Sequence, residues 1–215
     1  MDAMIDTGKI LFEGMDLSGK STISKDVSLI LNIEQIKQRT LSDQTAIYDF
    51  TVAQSKLGNL SQELISKLYC LAVNEDLANY KVSKKGIILQ DSYFALRSFA
   101  LAQQNNDVLL ARDLYDLLKL FPKPELSFYL TAPIEERIRR NLQRNKPMAY
   151  MEKLLMLDPK KFENIEKHLK KSAIEIFNAE VIDTSIASHD EVSKYIGEKV
   201  KSLKIYKENG DEKVY

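Results

Sequence analysis

The chain has 215 residues, in which 31 Lys+Arg balance 31 Asp+Glu. That length suits one globular domain with at most a small appendage, and 44% hydrophobic residues exclude a disordered chain. Seven glycines and five prolines are too few for a turn-rich β-sandwich or barrel, which needs punctuation every ~8–12 residues, and the neutral charge argues against a dedicated nucleic-acid-binding module.

The start, Met1 to Gly8, is polar and acidic, unlike a secretory leader. Lys9 to Glu13 (KILFE) is a short apolar run suited to a buried strand. From Lys20, Ile23, Val27, Leu29, Ile30 and Leu31 predict a helix to about Asn32, and Ile33 to Lys37 is a weak second strand. Ser42 to Lys56 and Leu60 to Val82 read as helices broken at Gly58-Asn59. Cys70 lies in the second, among Leu68, Tyr69, Leu71 and Ala72, and is expected in the core; a single cysteine forms no internal disulfide.

Ile87 to Asp91, entered through a Lys84-Lys85-Gly86 turn, is the clearest buried strand. Helices over Tyr93 to Gln104 and Asp107 to Leu120 follow, the second ended by Phe121-Pro-Lys-Pro124. Glu125 to Thr131 (ELSFYLT) is a third good strand, and Pro133 opens a helix at a position that favours proline. Asp158-Pro159 starts another helix to about Asn178, Glu180 to Asp183 is a last strand, and His189 to Leu203 a final helix. The tail from Lys204 to Tyr215 carries Asn209-Gly210, which suits either a hairpin turn or a frayed charged end. His168 and His189 lie far apart among charged residues and are expected at the surface. No apolar run approaches the ~18 residues of a membrane span, so a cytoplasmic protein without a membrane partner is expected.

Strands separated by helices predict a parallel sheet with helices on both faces. Right-handed crossovers then put every strand's C-terminal end on one edge, where such folds bind ligands. At the end of the first strand, Gly14-Met-Asp-Leu-Ser-Gly19-Lys20-Ser21 fits the pattern G-x-x-x-x-G-K-[ST]. Its glycines let backbone N–H groups approach phosphates, its lysine serves the terminal phosphates, and its hydroxyl suits the Mg²⁺ they hold. The following helix adds the positive end of its dipole. A nucleoside triphosphate site is therefore expected over Gly14, Asp16, Ser18, Gly19, Lys20, Ser21 and Thr22. A GTPase is disfavoured: Asn145-Lys146-Pro147-Met148 lacks the aspartate of N-K-x-D, and the D-x-x-G from Asp16 to Gly19 lies inside the loop itself.

Phe12-Glu13-Gly14-Met15-Asp16-Leu17-Ser18-Gly19-Lys20-Ser21-Thr22 resembles the F-E-G-x-D-x-x-G-K-S-T loop of thymidylate kinases. Asp91-Ser92-Tyr93 is similar to the family's D-R-Y/F/H, Pro124 to Leu130 to its P-D-L-x-x-x-L strand, and Pro133 to Arg137 to its P-x-E-x-x-x-R helix. Val181-Ile-Asp183, then a helix after Ser188, completes a resemblance that covers almost the whole chain.

The resemblance implies a three-layer P-loop NTPase fold with about five parallel strands and a small helical lid near 137–157. It also implies Mg²⁺ as cofactor, ATP as phosphoryl donor, nucleotide substrates rather than nucleic acid as partners, and a homodimer as in many members. Lys20, Asp91, Arg140 and Arg144 would be catalytic, with Ser21 and Asp91 at the metal. Asp91 would either hold Mg²⁺ or position the acceptor phosphate, and it is also a good helix cap. Arg137, Arg140 and Arg144 share one predicted helical face, with Arg139 off it. They would clamp phosphate or, on the plainer reading, pair with Glu135 and Glu136.

The acceptor site would use Asp16, Arg39, Tyr69, Asn74 and Arg97. Here the sequence departs from the family. Ser92 replaces the D-R arginine, with Arg97 about one turn further on, and Asn74 and Glu75 stand where the base-reading arginine belongs. Tyr69 is suited to stacking on a base or to plain core packing. Three functions therefore stay open: a nucleoside monophosphate kinase acting on a deoxynucleotide such as dTMP, a deoxynucleoside kinase, and a nucleotide-binding protein without acceptor chemistry.

Overall fold

In the computed structural model, which describes residues 5–34, 36–43, 45–58, 60–81 and 87–203, the apolar runs form five strands: β1 (Ile5–Glu13), β2 (Ile36–Arg39), β3 (Ile88–Tyr93), β4 (Lys123–Thr131) and β5 (Glu180–Asp183). They pair in the order β2-β3-β1-β4-β5, every neighbour parallel. Nine helices surround the sheet among the described residues: α1 (Lys20–Leu31), α2 (Ala46–Leu57), α3 (Gln62–Asn79), α4 (Phe94–Gln104), α5 (Val108–Leu120), α6 (Ile134–Gln143), α7 (Tyr150–Leu157), α8 (Pro159–Phe177) and α9 (His189–Lys201).

Strand residues alternate between two cores because successive side chains point to opposite faces. Ile10, Phe12, Leu89, Phe128 and Leu130 pack with Ile23 and Val27 of α1 and Val192, Ile196 and Val200 of α9. Leu11 and Tyr129 face the larger core, which gathers residues of α3, α4, α5, α7 and α8. With both faces covered, the central strands read as continuous apolar runs rather than as alternating patterns. Helix starts follow their caps. Ser61, Asp107 and Asp158 accept backbone N–H groups of α3, α5 and α8, and Ser188 with Glu191 forms a capping box on α9.

Some expected boundaries move. β2 lies at Ile36–Arg39, three residues beyond the expected start at Ile33. α2 begins at Ala46 rather than Ser42, because the Asp76 carboxylate accepts the backbone N–H groups of Leu41 (2.8 Å) and Ser42 (2.7 Å) and holds that stretch as a loop. β4 starts at Lys123 and includes Pro124 near its first residue, where a proline is tolerated. The helix opened by Pro133 ends at Gln143, and the separate α7 follows. Cys70 is half-buried and packs against the larger core. The Lys84-Lys85-Gly86 turn, Asn59, Val82 and the tail with Asn209-Gly210 lie outside the described residues. Among the described residues, no helix is long and apolar enough to cross a membrane.

Candidate active site

The loop from Gly14 to Gly19 joins β1 to α1 at the C-terminal edge of the sheet. Gly14 has φ +145°, and a Cβ there would meet the Leu130 carbonyl oxygen at 2.2 Å, so β4 itself demands glycine. Leu17 (φ +66°) and Gly19 (φ +88°) are also left-handed, the kind of turn that gathers N–H groups into an anion-binding concavity. Gly19 is the N-cap of α1 and gives no side-chain cap, leaving the first N–H groups of the helix open to a ligand. Ser18 is buried, and its Oγ has no hydrogen-bond partner among the described residues.

Lys20 is buried, its Nζ 3.5 Å from the Met15 carbonyl oxygen. Burial and the nearby Arg97 charge lower its pKa, although Asp91, Asp16 and Glu13 pull the other way. Ser21 Oγ donates to Asp91 Oδ2 at 2.7 Å, joining the start of α1 to the end of β3. A hydroxyl and a carboxylate side by side are hard oxygen donors of the kind Mg²⁺ takes when phosphates and water complete its shell.

Glu13, absent from the expected site set, organises this edge. It is fully buried, with one oxygen accepting the Gly14 N–H (2.9 Å) and the other the Tyr93 N–H (3.0 Å). One side chain thus ties the phosphate loop to the end of β3. Burial pushes its carboxyl up, against the pull of Lys20 and Arg97. Arg97, from α4, donates to Asp16 Oδ1 at 2.8 Å and to the Gly14 carbonyl at 3.3 Å. Burial alone would raise the Asp16 carboxyl, but Arg97 and Lys20 outweigh it and hold it below the ordinary range. Arg97 therefore does reach the loop from one turn beyond Ser92, which itself sits left-handed at φ +65°.

These groups open onto a cleft of about 550 Å³, also lined by Thr22, Gln38, Arg39, Arg140, Gln143, Arg144, Lys146, Glu152 and His189. The arginines after β4 do not share one role. Arg137 is fully buried, so its expected place beside Arg140 and Arg144 on a phosphate-facing surface is corrected. It donates to the carbonyls of Ala132 (2.7 Å) and Asp16 (2.9 Å), to Thr131 Oγ1 (3.1 Å) and to Glu166. Arg140 lines the cleft but is braced by Glu136, the Leu17 carbonyl (3.0 Å) and Thr184. Arg144 lies beyond α6 as its C-cap and pairs with the buried Glu152, whose other oxygen accepts the Ala149 N–H at 2.8 Å. Arg139 pairs with Glu136 on the exposed side.

The expected acceptor residues divide. Asp16, Arg39 and Arg97 line the cleft; Tyr69 and Asn74 do not. Tyr69 packs on Phe94 with ring centroids 6.4 Å apart, and Asn74 donates back to the Cys70 carbonyl at 3.0 Å, as expected of an amide one turn along its own helix. Glu75, which with Asn74 stands where a base-reading arginine is expected from the resemblance, holds backbone instead, as does its neighbour Asp76. Glu75 accepts the Ile47 N–H at 3.0 Å, and Asp76 accepts those of Leu41 and Ser42. His189 is exposed, as expected, but it faces the cleft: a Cβ on Gly19 would lie 3.7 Å from both His189 Nε2 and Arg140 Nη1. Its position as the first residue of a helix following a strand end was the available signal.

No protein-family model matches the chain, and no curated sequence does. Solved structures match over nearly its whole length. A thymidylate kinase from Candida albicans is 20% identical with TM-score 0.67, covering 96% of this chain and 95% of that one. A deoxyadenosine kinase from M. mycoides with bound dATP is 19% identical with TM-score 0.59, covering 90% and 100%. A structure of deoxyadenosine kinase from M. mycoides with dCMP and dCDP gives 18% and 0.62, covering 91% and 100%. The chain has the fold of these kinases. The cleft occupies the edge where the strand order turns, with β1 flanked by β3 on one side and by β4 on the other.

Proposed function

We propose that the protein is a Mg²⁺-dependent kinase that transfers the γ-phosphoryl of ATP to a nucleoside monophosphate, most simply a deoxynucleotide such as dTMP. The observation that carries this reading is the pairing of the cleft's carboxylates. Asp16 is bound by Arg97, Asp91 by Ser21 and Glu152 by Arg144. A neutral hydroxyl acceptor needs a general base, whereas a monophosphate oxygen is already nucleophilic and needs cations. Arg39 and Arg97 face the same cleft as Lys20 and suit a second phosphate group.

On this reading the loop amides, the N-terminus of α1 and Lys20 bind the β- and γ-phosphates, and Ser21 and Asp91 hold Mg²⁺. That ion would neutralise charge on the phosphates. The acceptor phosphate oxygen forms a bond to the γ-phosphorus as the bond to the β,γ-bridging oxygen breaks, and ADP leaves. Most of the catalysis is then positioning and charge stabilisation, with no covalent enzyme intermediate.

A second reading, deoxynucleoside kinase, is supported by the M. mycoides deoxyadenosine kinase match, which covers all of that chain, and by Ser92 in place of the thymidylate-kinase arginine. An ADP-release screen across nucleosides and nucleoside monophosphates separates the two. Turnover with monophosphates and none with nucleosides is expected. Turnover with nucleosides alone selects the second reading, and tight ATP binding without any turnover selects a protein lacking acceptor chemistry. Lys20→Ala should lower turnover by at least about 10²-fold, in line with loss of one preorganised donor to a transferring phosphoryl group. Intact turnover in this variant would overturn the site assignment.

A further inference from the structure

Five long cationic side chains besides Lys20 line the cleft: Arg39, Arg97, Arg140, Arg144 and Lys146. Four of them are engaged. Arg39 donates to Tyr48 Oη (3.2 Å), Arg97 to Asp16, Arg140 to Glu136, Thr184 and a loop carbonyl, and Arg144 to Glu152. Lys146 has no hydrogen-bond or ion-pair partner among the described residues. It is exposed, and it stands in the stretch between α6 and α7 that borders the cleft.

Resting on the kinase reading above, we propose that Lys146 is the lid cation that contacts the terminal phosphates of the bound nucleotide, and that Arg144 acts as a strut which positions it. Moving Arg144 to a phosphate would strand the Glu152 carboxylate, which is only 5% exposed, and a buried charge without its partner is strongly unfavourable. Arg140 is committed in a similar way, through a loop carbonyl and both oxygens of Thr184. Lys146 breaks no existing pair when it turns to a phosphate, and its four-carbon stem carries three freely oriented donors.

Glu152 sets the path of the connecting stretch. Its two oxygens take Arg144 at one end and the Ala149 N–H at the other, so a single carboxylate closes the 144–149 segment into a loop with Lys146 near its middle. Pro147 further restricts the backbone at Lys146, the residue before it. Nothing in the motif spacing marks Lys146, because its selection rests on the engagement of its neighbours.

Two measurements on the full chain test this. In steady-state assays with the acceptor found by the screen, Lys146→Ala should lower kcat by about 10²-fold with a change of less than about threefold in KM for ATP. Lys146→Arg should restore most of the rate, and Lys153→Ala, on the outer side of α7, should match the wild type. A kcat for Lys146→Ala within twofold of wild type overturns the proposal. The second readout is acetylation of lysines, mapped by mass spectrometry with and without Mg²⁺ and the non-hydrolysable β,γ-imido analogue of ATP. Protection of both Lys20 and Lys146 supports the assignment. Protection of Lys20 alone overturns it while leaving the nucleotide site intact, and protection of neither overturns both the nucleotide reading and the assignment.

Discussion

Gly14 is where a single hydrogen atom decides whether the loop can close. With φ +145° and the Leu130 carbonyl 2.2 Å from the place of a Cβ, Gly14→Ala combines backbone strain with overpacking. It should destabilise the fold by about 2–6 kcal/mol, since each effect alone contributes about 1–3 kcal/mol; urea unfolding midpoints measure it. Asp16 makes a pH-dependent contribution. Its folded pKa is held down by Arg97 and Lys20, so the stability it supplies is full above its ordinary value of 3.8 and is lost as pH falls through the lower folded value. The difference in stability between wild type and Asp16→Asn should therefore be constant above about pH 5 and shrink below about pH 4. Glu13 works in the opposite sense, because burial raises its pKa and its ionisation opposes folding as pH rises past 4.5.

At the level of elements, α6 is held to the sheet and the loop by Arg137. Its guanidinium is fully buried, stacked over Phe162 at 5.4 Å and paired with Glu166. Arg137→Ala should remove about 3–5 kcal/mol, the scale of stranding one partner of a buried ion pair, and Glu166→Gln should remove less because the amide oxygen can still accept from Arg137, whose other donors keep the Ala132 and Asp16 carbonyls and Thr131 Oγ1. Thermal unfolding of both variants tests the order. The sequence could not separate this arginine from Arg140 and Arg144, since helical spacing reports which residues share a face but not how deep the face lies. Element types were legible wherever an apolar run met both cores, as in β1, β3 and β4. The start of α2 was not, because it depends on Asp76 reaching across from α3, a contact with no local trace.

Across the whole molecule, the loop after β1 and the parallel sheet could be anticipated because both follow from local pattern: two glycines ahead of a lysine, and strands alternating with helices. The side chains expected at an acceptor site could not, because they come from the loop after β1 and from β2, α3 and α4, and their places depend on contacts between those elements. Arg97 reaches the loop after β1 from α4, while Tyr69 and Asn74 serve packing and their own helix. Charge neutrality likewise conceals a local excess, five arginine and lysine side chains besides Lys20 around one cleft. The bonds from Arg137 to the Asp16 carbonyl and from Arg140 to the Leu17 carbonyl also have a mechanical meaning. They rivet α6 to the phosphate loop, so the two travel as one rigid body. On the kinase reading proposed above, closure over a nucleotide would pivot at or beyond Arg144, with a short lever arm consisting of the 144–149 connection and α7.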